Sequence, residues 1–228
     1  EFRMVGSADS ISSPNVVLNT IVAEAFKEAA DVLEKAENFE LAVHDLIKEM
    51  LAKHRRIIFN GNGYSDAWVE EAKEKGLPNI RAMVDSIPAL TTEKAVKLFE
   101  EFNVFTRAEL ESRAEIEYET YAKIINIEAR TMIDMASKQF IPAVIQYVTK
   151  LAKSLTAVVS ACPAADVSVQ NEMIMEASEL LCATKAALAK LIELDDLACT
   201  MEQGREQALF YHRQVVPAME ALRAPVDR

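Results

Sequence analysis

Apolar residues recur three and four positions apart over most of this chain, and that period predicts helices. The exception is the opening segment. There Phe2 and Met4 alternate with Glu1, Arg3 and Val5, which predicts a short strand with Glu1 and Arg3 on one face, followed by a Gly/Ser/Asp turn. The helical period begins after Ser13-Pro14-Asn15, with Ser13 as the expected cap and Pro14 in the first turn. It continues through Leu18, Ile21, Val22, Ala25, Ala29, Leu33 and Ala36 until Asn38 breaks it. A second helix has Leu46, Ile47, Met50 and Leu51 on its expected inner side. It ends in a basic turn, Lys53 to Arg56, that complements the negative end of the helix dipole.

Ile57-Ile58-Phe59 reads as a short strand-like run into Asn60-Gly61-Asn62-Gly63, where glycines predict positive φ or a close backbone approach. Ser65 then caps a brief helix stopped by Lys75-Gly76 and Pro78, and residues 77–91 read as an irregular connection. Thr92 starts a helix ending near Phe102. Next, Thr106 and Glu109 form a capping box, with Phe105 and Leu110 as its hydrophobic staple. A long helix follows past Phe140. Pro142 predicts a kink and not a break, because the apolar stripe resumes through Val144, Val148, Leu151, Leu155 and Val158.

Two last helices are expected over about 169–202 and 205–223, divided near Gly204. A heptad seam runs Ile174, Ala177, Leu181, Thr184, Leu188, Leu191, Asp195, Ala198, with polar defects at Thr184 and Asp195. The fold class is therefore mainly α: a short N-terminal strand, then an antiparallel helical bundle. Two regions are expected, residues 1–91 with strand, helices and loops, and residues 92–228 with the long kinked helix and the final pair.

Composition sharpens this picture. The chain has only five glycines in 228 residues, which favours helices with short connections. Asp and Glu number 36 against 25 Lys and Arg, a net charge of −11, and that excludes the basic face a nucleic acid or anionic membrane would need. No apolar run approaches the roughly 20 residues of a membrane span. Cys162, Cys182 and Cys199 lack metal spacing and read as small buried hydrophobes of a reduced, cytoplasmic protein. Met132, Met135, Met173 and Met175 read as core filler, and the acidic run from Glu109 to Glu119 as a solvated helix face.

Candidate chemistry is sparse. Arg3 offers a planar fork for a carboxylate or phosphate, and Glu1 beside it a hard oxygen for Mg²⁺ or Mn²⁺, although such a pair is more often a solvated ion pair. Asn60–Tyr64 could cradle an anion through backbone donors but lacks the Lys-Ser/Thr ending of a P-loop, so a tight turn is the plainer reading. His44, His54 and His212 stand apart from one another and read as surface or capping residues.

The opening EFRMVGSADSISSPNVVLNTIVAE resembles the C-terminal catalytic motif of type III glutamine synthetases, a strand of the form FEFRMVGS running into a PN-x-VLNTIVAE helix. The likeness continues through HRRIIFNGNGYSDAWVEEAKEKGLPN, PALTTEKAVKLFEEFNVFTRAELESR and INIEARTMIDMA to YHRQVVPAMEALRAPVDR. Ala8 departs from the pattern, where a second serine is common. The resemblance implies ATP-dependent ligation of ammonia to glutamate, with Glu1 as a ligand of one of two divalent metals, Mg²⁺ or Mn²⁺, and Arg3 binding glutamate. It also implies a cytoplasmic dodecamer of two hexameric rings. With no initiator Met and an end just past a proline, the chain reads as a C-terminal fragment, inactive alone, with the other metal ligands and nucleotide-binding groups upstream. The competing expectation is a helical oligomerisation module without chemistry, for which Glu1 and Arg3 would have no use.

Overall fold

The computed structural model describes residues 10–228, so the expected strand at Glu1–Val5 lies outside the described residues. Among those residues there is no strand. The strand-like run is instead a 3-10 turn over Arg55–Ile57, and Ile58 and Phe59 continue extended with nothing to pair with. The chain divides into two compact units at Ser112/Arg113.

The first unit carries α1 (Ser12–Leu33), α2 (Phe39–His54), α3 (Asp66–Glu74), α4 (Met83–Ser86), α5 (Glu93–Glu101) and the first residues of α6 (Arg107–Met135). Side chains start four of these helices. Asn38 Oδ1 accepts from the Leu41 N–H, Ser65 Oγ from Trp68 and Thr92 Oγ1 from Ala95. Thr106 and Glu109 form the full capping box: Glu109 Oε2 accepts the Thr106 N–H at 2.8 Å, and Thr106 Oγ1 accepts the Glu109 N–H at 3.4 Å. Ser13 does not cap α1. The helix starts two residues earlier, with Ile11 at its N-cap, and the Ser12 N–H bonds Ser10 Oγ.

Helix ends are equally explicit. Gly76, at φ +67°, and Asn103, at φ +53°, take the left-handed position after α3 and α5. In each case the next two N–H groups fold back onto the last helical carbonyls: Gly76 to Lys73 and Leu77 to Ala72, Asn103 to Glu100 and Val104 to Phe99. The Arg56 guanidinium also donates to the Lys75 and Gly76 carbonyls. Residues 77–91 are less irregular than expected, with α4 and a 3-10 turn over Ile87–Thr91 burying Val84 and Ile87.

The core of this unit is Val96, Phe99 and Leu110, with Val16, Val17, Val104 and Phe105 packed against it. Phe105 and Leu110 are therefore brought together as the expected staple. α1 meets this core with Val16, Val17 and the buried Thr20, and Lys27 pairs with Glu101 of α5. The stripe that its periodicity marks is only partly covered: Leu18, Ala29, Leu33 and Ala36 are half-buried while Ile21, Val22 and Ala25 are exposed. On the expected inner side of α2, Leu46 is half-buried while Ile47, Met50 and Leu51 are exposed.

In the second unit, α6 runs to Met135 and passes through a five-residue π turn, Ala136–Phe140, into α7 (Ile141–Ala161). α8 (Ser168–Thr200) returns along α7. The chain then comes back along α8 as α9 (Arg205–Phe210), a second π turn (Tyr211–Val215) and α10 (Val216–Val226). The helix thus continues through Pro142, as expected, and the mechanism is the wide turn. Proline has no N–H and its ring collides with the carbonyl four residues back in an ordinary helix. Here the Ile141 N–H reaches the Ala136 carbonyl, five residues back, and Pro142 falls in the first turn of α7. Pro217 is handled identically: the Val216 N–H bonds the Tyr211 carbonyl. The seam of α8 buries Thr184, Leu188, Leu191, Asp195 and Ala198, and half-buries Ile174, Ala177 and Leu181.

Replacing the capping threonine tests the start of α6. Thr106→Ala is expected to lower stability by ~1 kcal/mol, with Thr106→Ser close to wild type. Urea unfolding curves check it, and an unchanged midpoint for Thr106→Ala would mean that the box is ornamental.

Candidate functional site

Glu1 and Arg3, the residues of the expected metal and glutamate contacts, lie outside the described residues. The other sequence candidates can be placed. In Asn60–Tyr64 the polar groups are used for the turn itself: Asn62 Oδ1 accepts from the Tyr64 N–H, and the Asn62 carbonyl accepts from the Ser65 hydroxyl. Gly61 is needed for close approach, since a Cβ there would meet the Phe59 ring at 2.8 Å, and that ring stacks on Trp68 at 3.7 Å. Gly63 has neither positive φ nor a close neighbour. The three cysteines are exposed, not buried, and so are Met173 and Met175: Cys182, Cys199 and both methionines sit off the seam that α8 turns inward, and Cys162 follows the end of α7. His212 is half-buried, and its Nδ1 lies 3.1 Å from the Tyr121 hydroxyl.

The chief polar constellation of the described residues is in the second unit, around Asp195. Its position in the seam leaves the residue 2% exposed, so its carboxylate needs donors. α6 supplies them from one face, one turn apart: Asn126 Nδ2 donates to Oδ1 at 2.9 Å, and Arg130 Nε lies 3.3 Å from Oδ2. Both side chains also reach Cys199 Sγ at 3.4 Å, one turn along α8 from Asp195. The Tyr211 hydroxyl lies 3.6 Å from the same sulfur, and Gln207 Nε2 donates to the Ala198 carbonyl at 3.0 Å. The joint before α9 is made by Gly204 at φ +127°, where a Cβ would also crowd a Glu115 carboxylate oxygen at 3.2 Å.

The electrostatics follow from this packing. The hydrogen bond to Cys199, then the charges nearby, hold the Arg130 guanidinium above its ordinary value. Burial, chiefly, and then the Cys199 contact push the Tyr211 phenol well up. A cleft of about 200 Å³, lined by Lys123, Asn126, Cys199 and Gln203 among others, opens beside the cluster. Among the described residues no three His, Cys, Asp or Glu side chains are grouped to hold a metal. The cluster presents no nucleophile–base pair; it locks α6, α8 and the second π turn together. Asp195 was visible from the sequence as a defect in the seam. Its partners are visible only once Asn126 and Arg130 are read as one helical turn facing it.

Residues 42–159 match the family model described as the glutamine synthetase C-terminal domain. The chain is 32% identical over 234 residues to a type-3 glutamine synthetase of Dictyostelium discoideum, covering 98% of this chain and 31% of that protein. It is 35% identical over 189 residues to a glutamine synthetase of Butyrivibrio fibrisolvens, covering 81% and 26%. A glutamine synthetase of Bacteroides fragilis (strain YCH46) is 27% identical over 235 residues, covering 100% and 32%. The chain spans about a third of the length of these relatives.

Two outcomes test the Asp195 cluster. Asn126→Ala leaves a buried carboxylate oxygen without its donor and should cost about 2 kcal/mol. Arg130→Ala should cost less than about 1 kcal/mol, because that side chain is 58% exposed. Equal urea midpoints for the two variants would contradict this ordering. For Tyr211, a raised phenol pKa means that the folded state holds the proton more tightly than the unfolded one. The stabilisation is therefore complete below the ordinary phenol pKa of ~10 and lost as pH rises through the elevated value. In an alkaline absorbance titration one tyrosine, absent in Tyr211→Phe, should ionise only as the fold is lost.

Proposed function

The chain belongs to the glutamine synthetase C-terminal domain family, and we propose that it is the C-terminal part of a type III enzyme making glutamine from glutamate, ammonia and ATP. The observation that carries this reading is the alignment over 98% of the chain to a protein called a type-3 glutamine synthetase. In the proposed reaction a γ-carboxylate oxygen of glutamate attacks the terminal phosphorus of ATP and ADP leaves. Ammonia then attacks the acyl carbon of the γ-glutamyl phosphate, phosphate departs with the C–O bond electrons, and the nitrogen loses a proton.

This chain's share of that chemistry rests on two residues. Arg3 would hold a glutamate carboxylate through its bidentate fork, which a point charge does not reproduce. Glu1 would contribute one hard oxygen to a divalent metal, Mg²⁺ or Mn²⁺. The described residues add no metal-binding group, so the remaining ligands and the nucleotide contacts are assigned to the rest of the enzyme. The helical remainder is then support and not chemistry, in keeping with a polar cluster that is internally satisfied. No helix among the described residues is long and apolar enough to cross a membrane. A cytoplasmic dodecamer of two hexameric rings is the assembly proposed for the whole enzyme.

One experiment with two arms tests this. The chain alone, given ATP, glutamate, ammonia and Mg²⁺, should release no phosphate above background. In the full-length enzyme, Arg3→Lys should lower kcat/KM for glutamate by roughly 10²-fold. Turnover by the chain alone would show that it needs nothing more. A near-wild-type value for Arg3→Lys would remove Arg3 from the site.

A further inference from the structure

The first unit leaves much of the apolar stripe of α1 in water. Helical phase places Leu18, Ile21, Val22, Ala25, Phe26, Ala29 and Val32 on one stripe, yet α1 meets the core of α5 and α6 through Val16, Val17 and Thr20 on its other side. Phe26 is 72% exposed and Val22 48%. α2, packed beside α1, repeats the pattern with Phe39, Ile47 and Leu51, of which Phe39 is 62% exposed. Leaving one such residue in water is ordinary. Two adjacent helices that both leave several large apolar side chains in water are not, because each of these forgoes the gain of burial.

We propose that the stripes of α1 and α2 form a docking face for the part of the same polypeptide that precedes this chain in the full-length enzyme. The inference rests on the reading of this chain as the C-terminal part of a longer glutamine synthetase. The relatives match this chain along about a third of their length, and the matching model is that of a C-terminal domain. Some two-thirds of such a polypeptide therefore lies on the N-terminal side. It is tethered directly ahead of α1, at an effective concentration no separate partner reaches. The occupant is thus a mainly apolar surface.

Photo-cross-linking in the full-length enzyme decides between occupants. A benzophenone amino acid is placed at Phe26 and, in a second variant, at Phe39, and each sample is also assayed for glutamine synthesis. The expected product has single-subunit mass on a denaturing gel, with the cross-linked peptide mapping upstream of Glu1. A product of twice that mass would assign the face to a second copy and overturn the proposal. Cross-links confined to this chain, or none, would overturn it too. An active enzyme with either of those results loses the docking face but keeps the glutamine synthetase reading. An inactive enzyme with the upstream cross-link does the reverse.

Discussion

A carboxyl group taken out of water must be given hydrogen-bond partners, and that requirement organises the second unit. Asp195 occupies a seam position that the heptad would otherwise give to leucine. Asn126 and Arg130 answer it from α6, which fixes the rotation of α6 against α8 more sharply than apolar packing could. The same two residues reach Cys199, and through that sulfur the polar contacts extend to Tyr211 at the second π turn. One desolvated charge thereby sets the registry of three consecutive passes of the chain.

The helix starts at Ser65, Thr92 and Thr106 were legible because capping is local: each acts on a backbone N–H three residues on. Asn38, read only as a break, caps α2 in the same way, and the cap expected at Ser13 is not formed. The α8 seam was legible for a similar reason, since its period is a property of one helix. What periodicity cannot disclose is which neighbour a stripe meets. The apolar stripes of α1 and α2 were read correctly as stripes, but the residues that bury α1 are Val16, Val17 and Thr20 on its opposite side. Cys182 and Cys199 follow the same logic: small and apolar enough for a core, they stand off the inward seam of α8 and are exposed.

Candidate chemistry came only through resemblance. Glu1 and Arg3 are proposed as two residues of a site whose other members lie outside this chain, so no spacing rule could point to them. The comparisons show the family, and this chain spans about a third of the length of the Dictyostelium discoideum relative it matches.

The two π turns have a consequence for chain length. Each separates its hydrogen-bonded partners by five positions where an α turn separates them by four, so Ala136–Phe140 and Tyr211–Val215 each hold one residue beyond what the helix needs to cover the same distance. That extra residue and the proline after it form a matched pair. Deleting the residue alone would press the proline ring onto a carbonyl, and replacing the proline alone would leave a residue with no place in the regular ladder. Insertions and deletions in these helices are thus tied to the loss or gain of a proline six residues beyond the start of the turn. A one-residue gap there would record backbone geometry, not a tolerant loop.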